Sequence, residues 1–223
     1  MNPAQRLMFA SAPPRVELES FPVPAPGPGQ LLVRNRRTQV SAGSETNFLR
    51  FGPQSYGLPD GTARANIGYM AAGEVLAVGA GISGYAVGDR VVTSAPHASH
   101  ALVDVTPGAA VERIPDGVSD DVAGFIALGD VALHAVRRAR LQIDQSVAIF
   151  GMGIVGQLVL QFARLSGAYP LIAIDLVDER LEQAKRSGAT HTINPGREDV
   201  VARVKEFTHG TGAEAVFHCA QAA

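Results

Sequence analysis

The sequence predicts an α/β chain in two parts. Residues 1–118 read as an irregular β-barrel or sandwich-like domain, and residues 119–223 as a parallel sheet with crossover helices. Three observations carry this. Short β-type runs bounded by Pro and Gly crowd the first part. After Pro115-Asp116-Gly117 the pattern changes, and apolar runs alternate with stretches of helical period. The 223 residues are 46% hydrophobic and 18% charged, which fits an ordinary globular protein with a real core.

In the first part, Gln30-Leu31-Leu32-Val33-Arg34, the run 73–78 and the run 89–93 read as strands. Turn signals such as Pro26-Gly27-Pro28-Gly29 and Gly79-Ala80-Gly81 bound them. In the second part, Ser119 is placed to cap a helix with Asp120 and Asp121 in its first turn. That helix should run over 119–139, with a break near Gly129-Asp130. Ser146 to Phe150 is a continuous apolar run, as a strand covered on both faces requires. Ile154, Val155, Leu158, Val159, Phe162 and Leu165 recur at helical spacing until Ser166-Gly167 stops them. Leu171 to Ile174 is a second buried strand. Asp178 should cap a third helix carrying Leu181 and Ala184. Thr190 to Ile193 is a third strand. Val200, Val201, Val204 and Phe207 form a further helix stripe closed by Gly210, and Ala213 to Cys219 is a fourth strand.

Composition excludes several function classes. Lys plus Arg number 19 and Asp plus Glu 21, so the formal charge is −2 and no phosphate-backbone partner is expected. Trp is absent and aromatics are 6%, too few for a base-stacking platform. The single Cys, Cys219, forms neither an internal disulfide nor a Cys-rich zinc site, and a core thiol is the expectation for it. No apolar run approaches the ~18 residues of a membrane span, and no secretory leader is visible. The expected setting is soluble and cytoplasmic, the expected partner a small-molecule substrate.

The strongest motif is Gly151-Met152-Gly153-Ile154-Val155-Gly156. It follows an apolar strand at once and opens a helix, and Asp175 stands at the end of the next strand. That context is the dinucleotide-binding fingerprint. Gly151 permits the tight turn. Gly153 lets backbone approach a pyrophosphate, and Gly156 lets helix lie close to strand. The helix N-terminus, with Ile154 and Val155 in its first turn, offers unpaired amides to phosphate. Asp175 can accept from both ribose hydroxyls and repels a 2′-phosphate, so NAD is favoured over NADP.

At this point the chain resembles the medium-chain dehydrogenase/reductase superfamily along its whole length. The segment from Val23 to Val33 is similar to that family's first barrel segment. Gly68-Tyr69-Met70-Ala71-Ala72-Gly73-Glu74-Val75 is similar to its Gly-His-Glu-x-x-Gly-x-Val motif, and Val87-Gly88-Asp89-Arg90-Val91 to its signature turn before a strand. The resemblance implies a GroES-like β-barrel catalytic domain followed by a Rossmann-type parallel-sheet cofactor domain. It also implies an active site in the cleft between them and a homodimer formed through the cofactor domain.

The departures concern the catalytic zinc of many members. Ala42-Gly43-Ser44-Glu45 aligns with the family's Cys-Gly-Thr-Asp, so Ala42 takes the Cys position. Tyr69 takes the His position, and Met70 the Glu position. The third ligand falls near Ile126-Ala127. Zinc needs three protein donors, and these positions supply none of the usual ones, so no metal is expected. His97 and His100 lack a third ligand and read as surface or hydrogen-bonded residues. Ser44 keeps the hydroxyl of the family's proton-relay position. Tyr69 and Ser44 are the residues expected to polarise a substrate carbonyl, although Tyr69 could also merely fill the metal's volume. Glu45 either supports this pair from behind or is exposed in a first helical turn. Asp130 either lies near the nicotinamide or serves the helix. These two short motifs also resemble a zinc-lacking branch of the superfamily.

A dinucleotide domain of this type has six strands, and only four are counted before Ala223, so the chain reads as C-terminally incomplete. The expected function is zinc-independent hydride transfer between NAD(H) and an alcohol/carbonyl pair. Two alternatives stand beside it: a quinone or enoyl-type C=C reductase using NADPH, and a dinucleotide-binding redox sensor without catalysis.

Overall fold

The computed structural model describes residues 3–11, 13–59 and 62–220. The chain divides into two compact units, Met1–Ile126 and Ala127–Ala223. The expected division fell earlier, at 118/119. The short helix α2 (Asp120–Ala123) belongs with the β-rich unit, because Ala123 packs with Ala72, Val92 and Ile114, and Arg90 holds Asp120 at 2.6 Å.

The first unit contains β1 (Ala4–Ser11), β2 (Pro14–Phe21), β3 (Gln30–Thr38) and α1 (Ala42–Phe51). After a 3-10 turn (Pro53–Tyr56) come β4 (Arg64–Asn66), β5 (Ala71–Val78), β6 (Arg90–Thr93), β7 (His100–Asp104) and β8 (Val111–Arg113). The strands form two antiparallel sheets, β2-β1-β4 and β7-β3-β5-β6-β8, bridged at Arg6 and Ala98. Register shifts between Leu32/Val33 and Asn35/Arg37 bend β3 against β5, as bulges do. Leu31, Val33, Val75 and Val91 are the centre of the larger sheet's core. Phe9, Phe48, Ala65 and Ile67 form a second cluster, in which the Phe9 and Phe48 rings meet edge to face at 4.9 Å. That contact seats α1 on the smaller sheet.

The second unit is a doubly wound parallel sheet. Its elements are α3 (Ile126–Ala139), β9 (Val147–Phe150), α4 (Ile154–Leu165), β10 (Leu171–Ile174), α5 (Asp178–Ser187), β11 (His191–Ile193), α6 (Val200–Phe207) and β12 (Ala215–His218). The strand order is β11-β10-β9-β12, all parallel. Alternate residues serve the two faces, as the pleat demands. Val147, Ile149, Leu171 and Ala173 meet Ala132, Val159, Leu160 and Leu181 on one side. Ala148, Ile172 and Ile174 meet Val200, Val204 and Phe207 of α6 on the other.

Two expectations of local structure are corrected. The break in the helical stretch falls at Gly124–Phe125, not at Gly129-Asp130, and α3 runs unbroken through Gly129. Leu128, Ala132 and Val136 are buried at intervals of four, and that stripe holds the helix together across the glycine. Asp178 is not the cap of α5; Val177 occupies that position and Asp178 is the first helical residue. No helix among the described residues is long and apolar enough to cross a membrane.

Candidate functional site

The candidate residues fall into two groups, one in each unit. In the second unit, β9 ends at Phe150 and the chain turns sharply at Gly151, whose φ is +86°. Only glycine adopts this readily, and a Cβ there would also stand 2.6 Å from the Ala220 amide nitrogen. At Gly156 a Cβ would lie 1.9 Å from the Gly151 carbonyl oxygen, so helix and strand approach as closely as backbone allows. At Gly153 a Cβ would meet nothing within 4 Å, and the space beside that turn is open. The first bond of α4 runs from the Gln157 amide to the Gly153 carbonyl at 2.9 Å. The amides of Gly153, Ile154, Val155 and Gly156 therefore have no acceptor within the helix. No acidic side chain occupies the first turn of α4. A phosphate group suits such a turn, because the amides and the helix dipole both favour negative charge.

Asp175 follows β10 and is buried, 8% exposed. Its Oδ2 accepts from the Met152 amide at 2.6 Å and its Oδ1 from the Val177 amide at 2.8 Å. The carboxylate thus ties the glycine turn to the adjacent strand end. A carboxylate has about four acceptor sites, so two such bonds leave capacity for a diol. Arg180, on the first turn of α5, places Nη1 3.6 Å from the same oxygen. Sequence reasoning missed this arginine because it took Asp178 as the polar landmark of the helix start. Asp178 instead accepts two bonds from Arg197 and one from Asn194, which hold its carboxyl down at about 2. The residues present fit a dinucleotide: amides for a diphosphate, an open lane at Gly153, a carboxylate beside it.

Cys219 lies just past β12, half-buried against the core, and burial pushes its thiol up. It behaves as a packing residue.

In the first unit, Ser44 sits in the first turn of α1 and Tyr69 follows the Gly68 turn ahead of β5. The structure brings them together: Tyr69 Oη donates to Ser44 Oγ at 3.3 Å, both part-buried. Glu45, one residue on, is not exposed. It is 7% accessible, and its Oε1 accepts from the Ser41 amide at 2.8 Å. Its Oε2 lies 3.0 Å from Nε2 of His97, itself 6% accessible. His100, by contrast, is partly open and shares a hydrogen bond between Nδ1 and Ser99 Oγ at 3.0 Å; burial and Arg34 lower its proton affinity. Asp130 is exposed on α3, in the middle of the helix rather than at an end.

The residues at the family's zinc positions do not fit that metal. Ala42 opens α1 without a donor, Met70 is buried and replaces the family's carboxylate by a thioether, and Ile126 and Ala127 carry none. Tyr69 is engaged with Ser44. Among the described residues no group of three or more His, Cys, Asp or Glu side chains converges to hold an ion.

Comparison with known proteins agrees with this fold. A family model described as zinc-binding dehydrogenase matches residues 155–223, within the parallel-sheet unit. It therefore does not touch Ala42 or Tyr69, where the metal question is decided. The chain is 28% identical to sorbitol dehydrogenase of Bacillus subtilis over 92% of its own length, and spans 65% of that relative's. Its fold matches 2R,3R-butanediol dehydrogenase from Bacillus subtilis with a TM-score of 0.82 at 24% identity, covering 96% of this chain and 70% of that one. It also matches a quinone oxidoreductase of Pseudomonas syringae with a TM-score of 0.78 at 27% identity, covering 96% and 65%. The glycine turn and these likenesses agree with the resemblance of the chain to the medium-chain dehydrogenase/reductase superfamily.

Proposed function

We propose that the chain forms the catalytic and cofactor-binding parts of an oxidoreductase that moves a hydride between NAD(H) and an alcohol/carbonyl pair without zinc. The observation that supports this most is the Tyr69–Ser44 contact of 3.3 Å at the place where zinc members carry a metal ligand. The relatives' names, sorbitol and butanediol dehydrogenase, make small polyols the first substrates to try. The chain's shorter span leaves the choice among them to experiment.

The nicotinamide ring, when bound, accepts or gives the hydride. The chain's own residues do the rest. Gly153 to Gly156 present amides to the diphosphate, and Asp175 accepts from the ribose hydroxyls. Its negative charge disfavours a 2′-phosphate and supports NAD. Tyr69 donates its phenolic hydrogen along the Tyr69–Ser44 line. Ser44 keeps its own hydroxyl hydrogen for a substrate oxygen on which negative charge develops. The 3.3 Å separation is long for O–H···O, and such contacts often tighten only when substrate is bound. One or two aligned donors of this kind are worth about 3–4 kcal/mol of barrier.

The test is turnover of 2,3-butanediol and sorbitol with NAD. Tyr69→Phe should lower kcat about a hundredfold while NADH affinity, by calorimetry, stays within twofold. Unchanged turnover in that variant removes Tyr69 from the chemistry. The quinone oxidoreductase likeness supports a second reading, reduction of an activated C=C bond with NADPH. A clear NADPH preference over NADH would favour it.

A further inference from the structure

We infer that Glu45 and His97 are positioning residues, a buried staple that takes over the cross-link a metal makes elsewhere in the superfamily. A metal at the family's site would tie the start of α1 to the Gly68–Tyr69 turn through one ligand from each. Here those ligands are Ala42 and Tyr69, and no ion can join them. The two segments still need joining, because Ser44 and Tyr69 must meet to within hydrogen-bond reach.

The structure shows how. Glu45 reaches back to the Ser41 amide with one oxygen, fixing the first turn of α1, and out to His97 Nε2 with the other. The His97 amide donates to the Ile67 carbonyl at 2.8 Å, and the Leu7 amide donates to the His97 carbonyl at 2.7 Å. The histidine is therefore pinned by its backbone to β1 and to the residue before Gly68. Its ring lies across Gly68 so tightly that a Cβ there would stand 2.6 Å from Cδ2. Gly68 also has φ +94°, a conformation other residues rarely adopt. One side chain thus grips α1 while its backbone grips the turn that carries Tyr69.

Burying a carboxylate is costly unless its partners are in place. Both oxygens of Glu45 are satisfied, and both members of the pair are more than nine-tenths buried. Neither residue touches solvent enough to serve solubility, and the apolar cluster of Phe9, Phe48, Ala65 and Ile67 already seats α1 without them. What the pair adds is direction: it sets Ser44, the neighbour of Glu45, against Tyr69, the neighbour of Gly68.

The inference rests on the reading of Tyr69 and Ser44 as the chemical pair, and its test includes a readout that needs no turnover. Tyrosine is labelled with a heavy carbon isotope at Cζ in the full chain, and Tyr69→Phe assigns the resonance. Tyr85, which donates to the Val111 carbonyl at 3.0 Å in the same unit, is the internal control. Glu45→Ala and His97→Ala should shift or broaden the Tyr69 signal and leave Tyr85 unmoved. With 2,3-butanediol and NAD they should lower kcat about tenfold or more while KM for NAD stays within twofold. Glu45→Gln can bond both Ser41 and His97, and should restore signal and rate. An unmoved Tyr69 signal in both alanine variants overturns the inference, as does a moved signal with unchanged kcat. Collapse of the Tyr69 and Tyr85 signals together in both variants makes the pair a general determinant of folding and overturns it as well. A wild-type chain that binds no dinucleotide and oxidises no diol sinks the oxidoreductase reading instead, and leaves the resonance result to stand on its own.

Discussion

Gly156 is the residue whose replacement the backbone forbids most plainly. Its missing Cβ is the space occupied by the Gly151 carbonyl oxygen, 1.9 Å away. No rotamer change relieves a clash between backbone and Cβ, so Gly156→Ala must push α4 off β9. The expected cost is about 1–3 kcal/mol of stability, read from the denaturant midpoint, together with loss of NADH binding by calorimetry. Gly153→Ala makes the contrasting case. A Cβ there meets open space, so stability should hold while the ligand lane narrows. All three glycines were legible in the sequence, because strand, turn and helix followed one another in register with Asp175. The Glu45–His97 pair was not. The two residues are far apart in the chain, and the sequence left Glu45 either supporting the catalytic pair or exposed. A His97–His100 pair with no third ligand in sequence carries no signal of the carboxylate that His97 meets in space.

At the scale of elements, the parallel sheet was readable strand by strand. The central strands β9 and β10 are buried on both faces, so their apolar runs are continuous, the edge strands β11 and β12 are more open, and the helical stripes between are clear. The β-rich unit was read less completely. β1 and β2 mix charged and apolar residues because β2 is exposed along much of its length, and that blurs the alternation. Helix starts were read unevenly. Ser119 does cap α2, accepting from the Val122 amide at 3.3 Å, and Asp199, which was not singled out, caps α6 by accepting from Ala202 at 3.1 Å. Asp178 has a different task, joining α5 to the loop after β11 through Arg197 and Asn194. That role makes a prediction with a definite sign. The folded carboxyl sits at about 2, below its ordinary value of 3.8. Its stabilising contribution is present above pH ~4 and is lost as pH falls through about 2. The pair is exposed, and salt screens it. Arg197→Gln should move the Asp178 titration, followed by carboxyl NMR, back towards 3.8. An unmoved midpoint would assign the depression to Asn194 instead.

At the scale of the whole molecule, ligand binding must register as stability. A compound that binds only the folded chain stabilises it by mass action, about 2.7 kcal/mol at a concentration a hundred times Kd. For a chain of this size that is roughly 5–10 °C in unfolding midpoint. NADH at such a concentration should raise the midpoint by that amount, and Asp175→Ala should remove most of the rise, because it takes away the acceptor that distinguishes the ribose. NADPH at the same concentration should give a smaller rise, since its 2′-phosphate meets the Asp175 carboxylate. Arg180, 3.6 Å from that carboxylate, is the one nearby cation among the described contacts that opposes this order. Removing it separates the two influences. Arg180→Ala should leave the NADH shift close to wild type and reduce the NADPH shift further. If NADPH instead stabilises more strongly than NADH, and Arg180→Ala abolishes the difference, the arginine outweighs the carboxylate and the cofactor assignment passes to the phosphorylated form.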